Sequence, residues 1–356
     1  MSQSIGLIEE ERLASIPSSY WGKHEFCFHL HDQIAHMLRQ YEASGIHNTV
    51  TKAFLESIRG REQEFDDVNI LEWMKGRNLV EPYRHHILSH VVLALTADML
   101  HFLYEALRAF EKRKFSVGFS LLRKPLKEHI LYLAWVLADD ADFISRFESR
   151  NYRTLSGITK DRRIELISKA ISHLASSEMF DPQIIWAMIY SKNHPNGFEP
   201  TWQRATHLVT SMGNLLKTED YSLNFVFEDP RDDGYYEFLY SKLPYLLIYV
   251  MQLSLEVFSK ISAVNRKTYS HLVITTMGCY ESLFMDGKCQ HIAGMLNSQM
   301  RELLRCLHCD AKLRITKKNA PALYLTEQIL CKNCGLVSEI PLYWLFSKAE
   351  LNITRG

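Results

Sequence analysis

Four cysteines near the C-terminal end fall into two pairs of identical spacing, Cys306-Leu-His-Cys309 and Cys331-Lys-Asn-Cys334. Two intervening residues let both thiols of a pair face one point. Two such knuckles brought together place four thiolates at the corners of a tetrahedron, which suits zinc as a structural ion. Four sulfurs close the shell and leave no position for water, so the expected metal builds a fold and performs no reaction. Gly335, directly after the second pair, supplies the backbone freedom that turns following amides toward sulfur. His308 is a substitute ligand, although four cysteines already complete the set. A redox dithiol and a coincidence of cysteines are the competing readings.

Residues 304–340 resemble a zinc ribbon. Around them Arg301, Arg305, Lys312, Arg314, Lys317 and Lys318 outnumber Glu302 and Asp310, a local positive excess on a chain whose formal net charge is zero. One reading is a phosphate-binding patch for nucleic acid, with Lys312, Arg314, Lys317 and Lys318 as contacts. The other is a solvated hairpin edge, where lysines discourage strand pairing. Cys27, Cys279 and Cys289 stand alone in helix-like segments and read as core residues.

A second set of candidates lies in the helical body. "RHHILSH" places Arg84 and His90 six residues apart, about 120° from alignment on a helix. "SLLRKPLKEH" carries Arg123 and Glu128 around Pro125, where a kink turns polar groups inward. "IYSKNHP" ends in His194, in a turn between helices where functional residues concentrate. The Arg84–His90 spacing matches the Arg-x(4 to 6)-His pattern of the HEPN superfamily, although the same pattern is also met by Arg123–His129 and Arg301–His308. Together with Leu-Leu-Arg123, Glu128, Tyr190, Ser191 and His194-Pro195, residues 80–260 resemble HEPN-related bacterial helical proteins. That resemblance implies a helical, often dimeric body, with RNA cleavage that needs no metal. His194 or His90 would then be the base and Arg123 or Arg84 the cation opposite the developing phosphorane charge. The segment at His194 departs from the nuclease pattern, with Lys192 and Asn193 where an arginine is expected.

Plainer roles compete with each of these. A buried Arg123–Glu128 pair can simply fix helix packing. His90, His101 and His129 lie in apolar helices and read as core or edge residues, and His85, His86 and His90 lack a carboxylate partner for a metal site. No glycine-rich phosphate loop or nucleophile elbow is present.

The elements that must position these residues are helical. The chain of 356 residues, 47% hydrophobic and 23% charged, can bury a sizeable core. Ile87, Val91, Leu95, Leu100, Leu103 and Leu107 mark the inner face of one long helix. Further helices are predicted over 140–152, 160–178, 200–217, 234–262, 267–284 and 287–305, with Asp139, Thr159 and Pro200 as start signals. The apolar run 243–258 reads as a buried core helix, and an extended segment is expected at 222–228. "AKLRIT" and "ALYLTEQILC" lean toward β structure. The expected fold is mostly α, a multi-helix bundle with a small β zinc-ribbon appendix at the C-terminus. It divides into an N-terminal helical region (1–80), a helical body (81–304) and the ribbon with its tail (305–356). The expected protein is cytoplasmic, free of membrane, able to dimerise, and bound to RNA or a protein partner. Its function is either RNA cleavage or binding in bacterial defence or growth arrest, or that of a non-enzymatic adaptor with a structural zinc.

Overall fold

The computed structural model describes residues 4–59, 69–149, 153, 156–194, 197–209, 223, 233–286 and 290–348. In chain order the first helices are α1 (Glu10–Leu13), α2 (Trp21–Ser44), α3 (Thr49–Ser57), α4 (Ile70–Gly76), α5 (Val80–Glu111), α6 (Phe115–Lys124), α7 (Ile130–Ala138) and α8 (Asp140–Glu148). Then come α9 (Lys160–Ile171), α10 (Pro182–Tyr190), α11 (Phe198–Thr206), α12 (Gly234–Tyr240), α13 (Leu243–Ile261), α14 (Arg266–Phe284) and α15 (His291–Gln299). The chain continues through α16 (Ala320–Thr326), strands β1 (Gln328–Leu330) and β2 (Val337–Glu339), and α17 (Leu342–Lys348).

Helix α13 is apolar nearly all round in its first half, and nearly every side chain from Leu243 to Phe258 is buried, Gln252 and Glu256 being paired with the Ser176 N–H and the Tyr269 hydroxyl. So apolar a helix must be enclosed, and α2, α5, α7 and α14 pack against it. Two helical runs, Val80–Glu111 and Gly234–Ile261, are long and apolar enough to cross a membrane by length and composition. The apolar window of the second is 78% buried within the protein, as a core helix requires, against 44% for the first. The inner face of α5 is led by Leu88, Val92, Met99, Leu103 and Leu107, while Val91 and Leu95 are only half-buried.

The expected kink after Arg123 is a π turn. Pro125 to His129 widen the helix, so that the Ile130 N–H bonds to the Pro125 carbonyl. Proline has no N–H for the normal ladder, and a local π adjustment accommodates it without breaking the helix.

Several boundaries move. Asp139 and Thr159 cap α8 and α9, their side chains accepting from Asp142 N–H and Arg162 N–H. Pro200 lies inside the first turn of α11, which begins at Phe198 because that buried ring stacks on Trp202 at 5.4 Å. The predicted 234–262 helix is broken at Ser241 and Lys242. Helix α10 was not anticipated, although Asp181 caps it by accepting from Gln183 and Ile184 and Pro182 opens it. The extended segment expected at 222–228 lies outside the described residues except for Leu223, as do Cys289 and Pro195.

At the C-terminal end the β content is smaller than predicted. "AKLRIT" contributes an isolated bridge between Arg305 and Lys312. "ALYLT" forms α16, with Pro321 in its first turn and Leu323 and Tyr324 buried. Ala322, Leu323 and Leu325 are strong helix formers, and packing against α14 adds to that preference. Helix α16 ends at Glu327, whose φ of 58° turns the chain into β1, and β1 pairs antiparallel with β2, Ile329 opposite Ser338.

Candidate functional site

The Sγ atoms of Cys306, Cys309, Cys331 and Cys334 all lie within 4.8 Å of one another. Cys306 and Cys334 are 3.6 Å apart and Cys309 and Cys331 3.7 Å apart. These separations are far beyond a disulfide bond. A tetrahedron with metal–sulfur bonds of about 2.3 Å has sulfur–sulfur edges of about 3.8 Å, so the donor set fits a metal ion.

The two knuckles repeat one backbone design. Asp310 N–H bonds to the Cys306 carbonyl at 3.0 Å, and Gly335 N–H to the Cys331 carbonyl at 3.0 Å. Cys306 N–H then reaches Ala311 O and Cys331 N–H reaches Leu336 O, both at 2.9 Å. Each turn needs a left-handed residue after the second cysteine. Gly335 takes it with φ 73°, and Asp310 takes it with φ 57°, which a short polar side chain tolerates better than most.

Donors surround the sulfurs. The Ser338 hydroxyl and the His308 amide donate to Cys306 at 3.2 and 3.4 Å, and the Asn333 amide donates to Cys309 at 3.4 Å. Ser338 above all holds the Cys306 thiol well below its ordinary pKa, and Asn333 above all lowers that of Cys309. For Cys334 the Leu336 amide works downward, but the neighbouring sulfurs of Cys306, Cys309 and Cys331 push the thiol up. Crowded thiolates of this kind are what a dication neutralises. The His308 ring points elsewhere, its Nε2 lying 3.0 Å from the Val337 carbonyl oxygen.

The module is fastened to the helical body. The Asn297 side chain, on α15, accepts from Ile315 N–H and donates to Ile315 O, both at 2.8 Å. Tyr324 rests on Gly278 of α14, where an added Cβ would lie 2.6 Å from the ring.

Beside the second knuckle is a groove of about 410 Å³. Lys312, Arg314, Lys317 and Lys332 line it, and among the described residues no carboxylate does. The surrounding excess charge is partly consumed. Glu302 lies within salt-bridge distance of Arg301, Arg305 and Lys312, and Arg305 also meets Asp310 at 2.8 Å. The Lys317 ammonium donates to the Met285 carbonyl at 2.6 Å. Lys318 is exposed but does not line the groove.

The helical-body candidates fall into two places. Arg84 pairs with Asp140 and, at 3.3 Å, with Glu81. Lys260 also reaches Asp140, at 3.0 Å. Burial alone would raise the Asp140 pKa, but Lys260 and Arg84 hold it below the usual value. His90 is exposed, its Nδ1 2.8 Å from the His86 carbonyl and its ring 4.3 Å from the His86 ring. Elsewhere, Arg123 precedes the π turn and Glu128 lies within it, beside the Lys124–Asp98–His129 ion pairs, whose distances are 2.5 and 2.8 Å. Fourteen residues of α5 separate Arg84 from Asp98, about 21 Å of helix. Arg123 and Glu128 make no ion pair with one another. His194 follows α10 on a turn in which the Gly197 N–H bonds to its carbonyl at 2.9 Å, and its Nδ1 is buried without a partner among the described residues. The Tyr190 hydroxyl donates to the Lys127 carbonyl at 2.6 Å, fastening the end of α10 to the π turn.

No family model, curated protein or solved structure matches the chain. The HEPN resemblance therefore has no relative behind it.

Proposed function

We propose that the protein is an RNA-binding protein that holds the phosphate backbone in the groove beside a structural zinc site. One observation carries this: Lys312, Arg314, Lys317 and Lys332 line the groove, and none of the described residues lining it is Asp or Glu, although Glu302 meets Lys312 from outside it. Phosphate contacts by lysine and arginine release counterions, so affinity falls steeply with salt. Zinc, held by Cys306, Cys309, Cys331 and Cys334, supplies no chemistry and keeps the knuckle in place. Arg314 and Lys332 are the principal contacts, because Lys312 and Lys317 already have partners.

The test is fluorescence anisotropy of a labelled single-stranded RNA at several salt concentrations. Binding should weaken with salt, and Arg314→Ala with Lys332→Ala should reduce both affinity and the salt slope, by about 0.7 for each phosphate no longer neutralised. Lys318→Ala should change little. Binding that is absent, or is indifferent to salt and to the double substitution, overturns the proposal.

Cleavage of the bound RNA is a second reading, favoured by the tie between Tyr190 and the π turn that follows Arg123 and contains Glu128. It accords with the HEPN-like resemblance and with a cytoplasmic role in bacterial defence or growth arrest. RNA incubated with the protein in EDTA should be cut, and His194→Ala should stop it without lowering the melting temperature. Uncut RNA from folded, RNA-binding protein leaves the chain a binder only.

A further inference from the structure

Three imidazoles meet where the first turns of α5 pass the chain that follows α2. His86 and His90 are four residues apart on α5, the spacing at which helical side chains are neighbours and paired histidines can hold one ion. Their ring centroids are 4.3 Å apart. The third, His47, belongs to the 3₁₀ turn Ile46–Asn48, which leaves α2 through Gly45 at φ 65°, and its ring stands 6.1 Å from that of His90. Helix α5 alone offers two ligands on this face, and the fold brings the third.

The nitrogens are disposed for coordination. His90 Nδ1 lies 2.8 Å from the His86 carbonyl oxygen and donates to it, so the lone pair is left on Nε2 of an exposed ring. A carbonyl on the far nitrogen is the device that fixes the tautomer of metal-binding histidines. In His47 and His86 the Nδ1 atoms are buried, so Nε2 is the nitrogen that each ring can offer. Coordination through it leaves the proton on a buried Nδ1 without a partner among the described residues, a cost that His90 does not bear.

We propose that His47, His86 and His90 bind one divalent transition-metal ion through Nε2, with solvent in the remaining positions. Imidazoles without a carboxylate or thiolate suit zinc, cobalt, nickel or copper and not calcium or magnesium. Two imidazoles on one ion at about 2.0 Å have centroids about 4.5 to 5 Å apart, so His86 and His90 stand near that spacing and His47 has about 1 Å to close. Three neutral ligands hold an ion more loosely than four thiolates do, so this one is exchangeable. No cysteine and no residue of the RNA-binding groove takes part, and either proposal can fail alone.

The test is titration of the full chain, its cysteines already loaded with zinc, with Co²⁺ followed by absorption spectroscopy. One further ion should bind, with visible d–d bands and none of the near-ultraviolet charge transfer that sulfur ligands give. His47→Ala and His90→Ala should each weaken binding at least about tenfold, since even groups that only orient a ligand are worth that much. His90 is exposed and alanine favours helix, so His90→Ala keeps the fold. His85→Ala, turned about 100° away on the same helix, should change nothing. The proposal is overturned if no second ion binds, if Co²⁺ enters only the sulfur site, if His47→Ala or His90→Ala leaves the affinity unchanged, or if His85→Ala weakens it equally.

Discussion

Tyr324 lies against Gly278 so closely that a Cβ at position 278 would sit 2.6 Å from the ring. The contact joins α16, between the two cysteine knuckles, to α14 of the body. Tyr324 is 4% exposed and has no room to step aside. Gly278→Ala should therefore cost about 1–3 kcal/mol, the usual penalty of overpacking. Urea unfolding measures it. Tyr324→Phe should cost little, since the Tyr324 hydroxyl has no partner among the described residues, and a large loss there would mean that the hydroxyl, and not the ring, holds the two helices together.

The four-cysteine cluster, which could hold a metal ion, makes a separate prediction. The purified chain should hold one zinc, and chelation should unfold the cysteine module while the body keeps its helical signal. Ser338 is fully buried and donates to Cys306. Ser338→Ala should weaken zinc retention about 10- to 100-fold, the usual effect of losing a group that orients a ligand. Competition with a chromophoric chelator reads this directly.

The cysteine cluster was legible because its spacing is local, and two residues between thiols imply a knuckle wherever the chain goes. The second left-handed position was missed because Asp310, unlike Gly335, does not announce itself. Helix α16 was missed for a different reason. In "ALYLT" only Tyr324 and Thr326 lean toward strand, while Ala322, Leu323 and Leu325 favour helix and Pro321 suits a first turn, so the helix was open to reading, but so short an apolar run also reads as a strand. Pairing, by contrast, was hidden. Arg84 looked available until Asp140, 56 positions away, was brought to it, and Lys317 until the fold set it on the Met285 carbonyl.

Acid should destabilise the protein before its carboxylates titrate. Burial lowers the pKa of His24, His86, His129 and His271, and brings His29 to about 4. The unfolded chain takes up these protons near pH 6.5 while the folded protein resists them, so the unfolded state binds more protons and stability falls as pH drops. The loss should begin below about pH 6.5 and continue toward pH 4, with His29 alone contributing about 2 kcal/mol after allowance for its partial exposure. Urea melts at pH 7.5, 6 and 5 test this. Equal stability at all three would contradict it, and His29→Gln should flatten the dependence.

Glu111 should be among the most sensitive positions in the body. Its side chain is fully buried and accepts from Arg12 at 2.6 Å and from Arg108 at 2.5 Å. His24 Nε2 is 3.4 Å from it, and the other nitrogen of that ring is 2.6 Å from the Tyr240 hydroxyl. Burial by itself would raise the Glu111 pKa, but His24 and Arg12 hold it below the usual carboxylate value. Its contribution is therefore complete above about pH 4.3, the unfolded value, and is lost as pH falls through the folded one. Glu111→Gln removes the charge and strands two guanidinium groups, and should cost about 3–5 kcal/mol at pH 7. Arg12→Ala should cost less, because Arg108 still meets the carboxylate. The gap between wild type and Glu111→Gln should narrow below pH 4 if the charge matters, and stay constant if the cost is only one of packing.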